Sequence, residues 1–171
     1  DPTDPNTFSY LTQNAAEGEN YGFEISSNYF PRDNLSLYAN FGLLKTKIKN
    51  WESRIDLENR AQAHAPERTY SFGANLDLNN SLYLKIDING KSSFYYSDSH
   101  DNKSKSYELV NLTLGYSKAN FSTDLWIRNL FDEYYSTRGF FFGNEAPNFV
   151  DTLYRRQGDP KNIGISIRYD F

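Results

Sequence analysis

The chain closes on Lys161-Asn-Ile-Gly-Ile-Ser-Ile-Arg-Tyr-Asp-Phe171, "KNIGISIRYDF". Counted back from the end, Phe171, Tyr169, Ile167, Ile165 and Ile163 are apolar or aromatic, and Asp170, Arg168, Ser166, Gly164 and Asn162 between them are polar or small. Successive side chains of a strand point to opposite faces, so this period of two builds one apolar and one polar face.

The same period recurs upstream. Leu35, Leu37, Ala39, Phe41 and Leu43 alternate with polar or small residues. So do Tyr70, Phe72, Ala74, Leu76 and Leu78; Leu82, Leu84, Ile86 and Ile88; and Val110, Leu112, Leu114 and Tyr116. Tyr21, Phe23 and Ile25 repeat the pattern, as do Phe121, Leu125 and Ile127, although Trp126 interrupts it. The alternation predicts about seven strands, at 13–30, 35–48, 67–78, 81–96, 106–117, 120–131 and 160–171. Only "ESRIDLENRAQA" (52–63) reads as a short helix, inside a long connection. "PRDN" (31–34), "NN" (79–80) and "SKAN" (117–120) are short polar turns, whereas 49–66, 97–105 and 132–159 are long.

Composition narrows the classes. No run of 18 apolar residues exists, so no helix crosses a membrane. "DPTDPNTFSY" (1–10) has no basic start and apolar middle and reads as the inside of a loop, so the first residue is not expected to be the native N-terminus. A net charge of −4 offers no basic surplus for phosphates, which argues against nucleic acid. The absence of Cys is compatible with an oxidising compartment.

Two architectures share this alternation: a soluble antiparallel sandwich with its apolar face inward, and a transmembrane β-barrel with that face toward lipid. Three features favour the barrel. Several segments reach the 9–11 residues that a tilted membrane-crossing strand needs. Rings gather near segment ends (Tyr21, Tyr29, Phe30, Phe94, Tyr95, Tyr96, Tyr116, Phe121, Phe131, Tyr134, Tyr135, Tyr169 and Phe171), as in the aromatic girdles at the two membrane–water interfaces. Lys85, Asp87, Asp124 and Arg128 lie mid-strand on the polar side, where a wet lumen suits them.

The end of the chain resembles that of TonB-dependent outer-membrane receptors. "LWIRNLFDEYYSTRGFF" (125–141) carries an Asn-Leu-Phe-Asp-x-x-Tyr element at Asn129, Leu130, Phe131, Asp132 and Tyr135, and Gly158, Asp159 and Pro160 form a Gly-x-Pro turn before the last strand. Upstream, Asn14, Ala15, Gly22 and Glu24 in "NAAEGENYGFE", the stretch "AHAPERTYSFGANL" (63–76) and "YELVNLTLGY" (107–116) are similar to further strands of that family, in the right order.

The resemblance implies an all-β fold: an antiparallel transmembrane β-barrel, with long extracellular loops and short periplasmic turns. About seven C-terminal strands of a 22-stranded barrel are expected over residues 1–171, with the plug domain absent. It also implies residence in the bacterial outer membrane and import of a scarce ligand, such as an iron–siderophore, cobalamin, haem or oligosaccharide. The expected partners are outer-membrane lipid, TonB through the missing N-terminal part, and the barrel-assembly machinery. That machinery is expected to read Ile165, Ile167, Tyr169 and Phe171.

No catalytic constellation is present, so neither an enzyme nor a cofactor is expected. His64 and His100 fall in loops without a Cys, and the acidic spacing near His100 does not match a calcium loop. In the last long connection, Arg138, Arg155 and Arg156 accompany Phe140, Phe141, Phe142, Phe149 and Tyr154. Rings and guanidinium groups suit an anionic chelate or a sugar, through stacking and bidentate contacts. Asn129 and Asp132 are expected to bond local backbone where the strand ends. The alternatives are a small complete barrel with an eighth strand from 1–12, structural or adhesive in role, and a soluble sandwich or lipocalin-like binder.

Overall fold

The computed structural model describes residues 17–51 and 54–171. Among these residues nine strands form: β1 (Glu17–Arg32), β2 (Leu35–Asn50), β3 (Arg68–Asp77), β4 (Leu82–Lys91), β5 (Tyr107–Lys118), β6 (Phe121–Arg128), β7 (Ser136–Phe142), β8 (Thr152–Gln157) and β9 (Asn162–Tyr169). Seven make one sheet in the order β1-β2-β3-β4-β5-β6-β9, and β7 with β8 forms a separate hairpin. Every ladder is antiparallel. Asn14, Ala15, the expected start at residue 13 and the candidate eighth strand at 1–12 lie outside the described residues.

The period of two becomes physical rows. Tyr29, Leu37, Ala74, Ile86, Leu112, Ile127 and Ile163 stand opposite one another from β1 to β9. On the other face Ser36, Asn75, Lys85, Thr113, Trp126 and Gly164 do the same from β2 to β9. Trp126 therefore belongs to the polar face and does not break the alternation.

Among the described residues no second layer covers the apolar face. Phe23, Phe72, Leu125 and Ile165 are 51%, 43%, 50% and 65% exposed. A soluble sandwich would bury such residues between two sheets, so that reading falls. Among the described residues the buried hydrophobic side chains are Ile48, Leu57, Phe94, Tyr96 and Val110.

The turns at one end are short, bonded within themselves or to the neighbouring turn. Asn79 Oδ1 accepts from the N–H groups of Ser81 (2.9 Å) and Leu82 (3.0 Å), and Asn34 Nδ2 donates to the Asp77 carbonyl (3.0 Å). The other end carries the long connections, and these build a small core. A short 3₁₀ helix, Ile55–Leu57, puts Leu57 at 1% exposure, held by Ile48 N–H to the Arg60 carbonyl (2.9 Å) and Asn59 N–H to the Ile48 carbonyl (2.8 Å).

Three expectations need correction. The fourth segment ends at Lys91, not residue 96, because Phe94 and Tyr96 turn into the loop core; they are not girdle rings. The sixth ends at Arg128, because Asn129 takes a left-handed φ of 50°. The connection 132–159 contains β7 and β8, which consecutive rings hid from a period-two reading.

Candidate functional site

The β7–β8 hairpin rises from β6 and β9 through a hinge built around Asn129, which is 4% exposed. Its backbone N–H donates to Asn111 Oδ1 (3.1 Å). Its side-chain amide donates to the carbonyls of Glu133 (3.0 Å) and Asp159 (3.1 Å), and its Oδ1 accepts from Glu133 N–H (2.8 Å). Asn is among the few residues that tolerate this left-handed backbone. Asp132 Oδ1 accepts from Lys161 N–H (2.7 Å), tying the two limbs together. Tyr135 completes the hinge by stacking on Tyr107 with centroids 4.4 Å apart and lying over Gly158. Burial pushes the Tyr135 phenol above its ordinary value. The expected bonding to local backbone is thus met by Asn129 at Glu133, whereas Asp132 reaches the distant Lys161 instead, and Asn111 joins from β5, a link invisible in sequence spacing.

Above the hinge, Arg138 stands opposite Arg156, Gly139 opposite Arg155, Phe140 opposite Tyr154, Phe141 opposite Leu153 and Phe142 opposite Thr152. Alternation gathers Arg138, Phe140, Phe142, Tyr154 and Arg156 on one face. Phe142 and Tyr154 pack at 5.2 Å. Burial, then the hydrogen bond to Glu145 Oε1 (3.1 Å), raises the Tyr154 phenol. Phe141 and Arg155 take the opposite face. Phe141 packs on His100 (5.7 Å), and a Cβ at Gly139 would meet the Tyr96 ring at 2.3 Å. The site therefore splits, five of the seven candidates sharing one face while Phe141 and Arg155 lie on the face turned toward Tyr96 and His100. Phe149 is exposed in the tip.

Among the described residues no carboxylate forms an ion pair with Arg138, Arg155 or Arg156. Two like charges directly across strands repel, so an anion between Arg138 and Arg156 relieves that repulsion while the adjoining rings supply stacking area.

Behind the hairpin, the β2–β3 and β4–β5 connections are tied by Arg60, whose side chain is 8% exposed. It donates to the carbonyls of Ser97 (2.9 Å) and His100 (3.2 Å) and pairs with Asp98 (3.3 Å) and Asp101 (2.6 Å). The Tyr95 ring is clamped between Arg60 (4.4 Å) and Lys103 (4.0 Å). His64 packs on Phe94 at 5.6 Å. Both histidines are packing residues in this cluster, and among the described residues no group of three or more His, Cys, Asp or Glu gathers as a metal site.

On the sheet, Lys85, Asp87, Asp124 and Arg128 all share the polar face. Lys85 lies 4.9 Å from the Tyr83 ring and Arg128 5.9 Å from the Trp126 ring. Ile165, Ile167 and Tyr169 line the bare apolar face of β9, and Phe171 beyond it is fully exposed.

A family model described as TonB dependent receptor-like, beta-barrel matches residues 1–130. The ferric yersiniabactin uptake receptor FyuA from Yersinia pestis superposes with a TM-score of 0.78 at 20% identity, over 92% of this chain and 24% of that one. The siderophore receptor PiuA from Acinetobacter baumannii gives 0.73 at 15% identity, over 89% of this chain and 22% of that one. The ferric citrate transporter FecA, unliganded, gives 0.70 at 16% identity, over 90% and 24%. The chain thus spans about a quarter of the length of these solved structures.

Proposed function

The chain belongs to the TonB-dependent receptor β-barrel family, and from that premise we propose that it forms the C-terminal wall of an outer-membrane transporter that imports a scarce anionic ligand, an iron–siderophore foremost. On this reading residues 1–171 are one portion of a larger barrel whose plug and TonB-contacting segment belong to the rest of the polypeptide. The bare apolar face contacts outer-membrane lipid, the polar face borders the lumen, and the long connections face the outside of the cell. Ile165, Ile167, Tyr169 and Phe171 are the C-terminal pattern offered to the barrel-assembly machinery. Transport chemistry here means binding and gating, with no covalent step.

The observation that carries the ligand assignment is the hairpin face where two guanidinium groups, without a carboxylate partner among the described residues, flank three rings. An anionic chelate takes charge-assisted, bidentate contacts from the arginines and stacks on Phe140, Phe142 and Tyr154. Ferric yersiniabactin and ferric citrate, named for two structural neighbours, have the chelate character this face suits. Cobalamin, haem and oligosaccharides are the competing cargoes.

The test is uptake by cells producing the intact protein, offered radiolabelled ferric chelates, haem, cobalamin and oligosaccharides. The Arg138→Glu/Arg156→Glu double variant is expected to lose at least tenfold of ferric-chelate uptake at unchanged outer-membrane abundance. Arg155→Glu, on the opposite face of the hairpin, is the control. Equal uptake by parent and double variant for every cargo removes the ligand assignment.

A further inference from the structure

Each of β3, β4, β5 and β9 contains one glycine, at Gly73, Gly90, Gly115 and Gly164. Every one of them lies under an aromatic ring from the preceding strand of the sheet. A Cβ placed there would fall 2.1 Å from the Tyr38 ring at Gly73, 2.3 Å from Tyr70 at Gly90, 2.0 Å from Tyr83 at Gly115 and 2.2 Å from Trp126 at Gly164. In three cases the ring crosses its glycine completely, and the hydroxyl donates to a carboxylate one strand further on: Tyr38 to Asp87, Tyr70 to Glu108 and Tyr83 to Asp124. The registers make each set a straight line. Tyr38 faces Gly73, which faces Asp87; Tyr70 faces Gly90, which faces Glu108; Tyr83 faces Gly115, which faces Asp124. Trp126 forms the short version, its indole N–H donating to Ser166 on the strand it covers (3.1 Å).

We propose that these Tyr–Gly–carboxylate lines are register clamps, each fixing three consecutive strands at once, with Trp126–Gly164 fixing the last pair. Face patterning cannot do this alone. A slip of one residue reverses the faces, but a slip of two preserves them. After a two-residue slip Tyr83 meets Thr113 or Ser117, Tyr38 meets Ser71 or Asn75, and Tyr70 meets Ile88 or Ser92. None of these leaves room for a flat ring, and each hydroxyl misses its carboxylate. Spanning two interstrand spacings, about 9–10 Å, needs a tyrosine at one end, a carboxylate at the other and nothing between. Among the described residues, β1 pairs with β2 without such a line, and that ladder carries the register shifts of the main sheet, at Glu17/Gly18 and Tyr29/Arg32.

The absence of cysteine from this chain makes the test direct. In the intact protein in membranes, with any cysteine elsewhere replaced, Leu84→Cys/Leu114→Cys reports the native register and Leu84→Cys/Leu112→Cys a two-residue slip. The parent is expected to cross-link only through the first pair. Tyr83→Ala is expected to raise cross-linking of the slipped pair at least tenfold. An assembled Tyr83→Ala protein that still links only in native register overturns the proposal. Should Tyr83→Ala fail to reach the membrane, a Tyr83→Phe and Asp124→Ala cycle decides: a double variant no less stable than the weaker single variant sustains the line, and strict additivity overturns it.

Discussion

The seven-stranded sheet and the loop cluster above it solve opposite problems with the same residue types. On the sheet, Phe72, Leu125 and Ile165 stay uncovered and the stabilising contacts run sideways, through ladders and cross-strand pairs. In the cluster, Ile48, Leu57, Phe94 and Tyr96 are buried as in a small water-soluble domain. On the proposed reading, the difference lies in the solvent. Hydrocarbon accepts a bare Ile but no unpaired amide, so strands there need complete hydrogen bonding and no core. Water reverses both demands. A hydrophobic residue in this chain thus carries no fixed meaning until its height along the barrel wall is known.

The comparison is tested most severely by Leu57→Ala. It should cost about 2–5 kcal/mol against opening of the cluster, read as faster hydrogen exchange around residues 57–60 and 94–96, while the unfolding midpoint of the barrel stays in place. A fall in that midpoint would join the two regions into one cooperative unit.

The converse change is Ile86→Arg, in the apolar row. An arginine facing the mid-bilayer should cost about 2–4 kcal/mol of barrel stability in lipid vesicles, whereas Thr113→Arg, on the polar face, should cost far less. Equal losses would mean that both faces meet the same medium.

Asn129→Ala strikes the boundary between the two regions. It strands two carbonyls and the Glu133 N–H, with an expected loss of about 1–3 kcal/mol. The hairpin should become protease-sensitive before the strands do. Simultaneous cleavage of both would deny the hinge a separate identity.

The smallest effect concerns pH. Tyr135 is favoured in its neutral form by burial, so its contribution is whole below the ordinary phenol value near 10 and is lost as pH rises through the higher folded value. Hairpin proteolysis should therefore quicken only in strongly alkaline buffer, with the barrel intact. Quickening already at pH 8–9 would point to a different group.

How much of this was legible follows from what is local. Alternation within one strand is local, so all seven strands of the sheet could be read, along with the sharing of one face by Lys85, Asp87, Asp124 and Arg128. The hairpin was hidden because Phe140, Phe141 and Phe142 put rings on both of its sides, one packed and one free. Once β7 and β8 are placed, simple alternation separates Arg138, Phe140, Phe142, Tyr154 and Arg156 from Phe141 and Arg155. Phe94 and Tyr96 looked like interface rings because burial in a loop core depends on residues distant in sequence, such as His64 beside Phe94 and Gly139 beside Tyr96. The Arg60 clasp, with partners at 97–101, left no trace in spacing at all.

That clasp has a mechanical consequence. Because one guanidinium grips two backbone carbonyls and two carboxylates across the gap, the first long excursion of the chain cannot lift without dragging the second. Through Tyr96 and His100, which press on the underside of β7, the pull reaches the hairpin as well. Three flaps that look independent along the polypeptide thus behave as a single hood, and a pull on its outermost edge tugs on all of it.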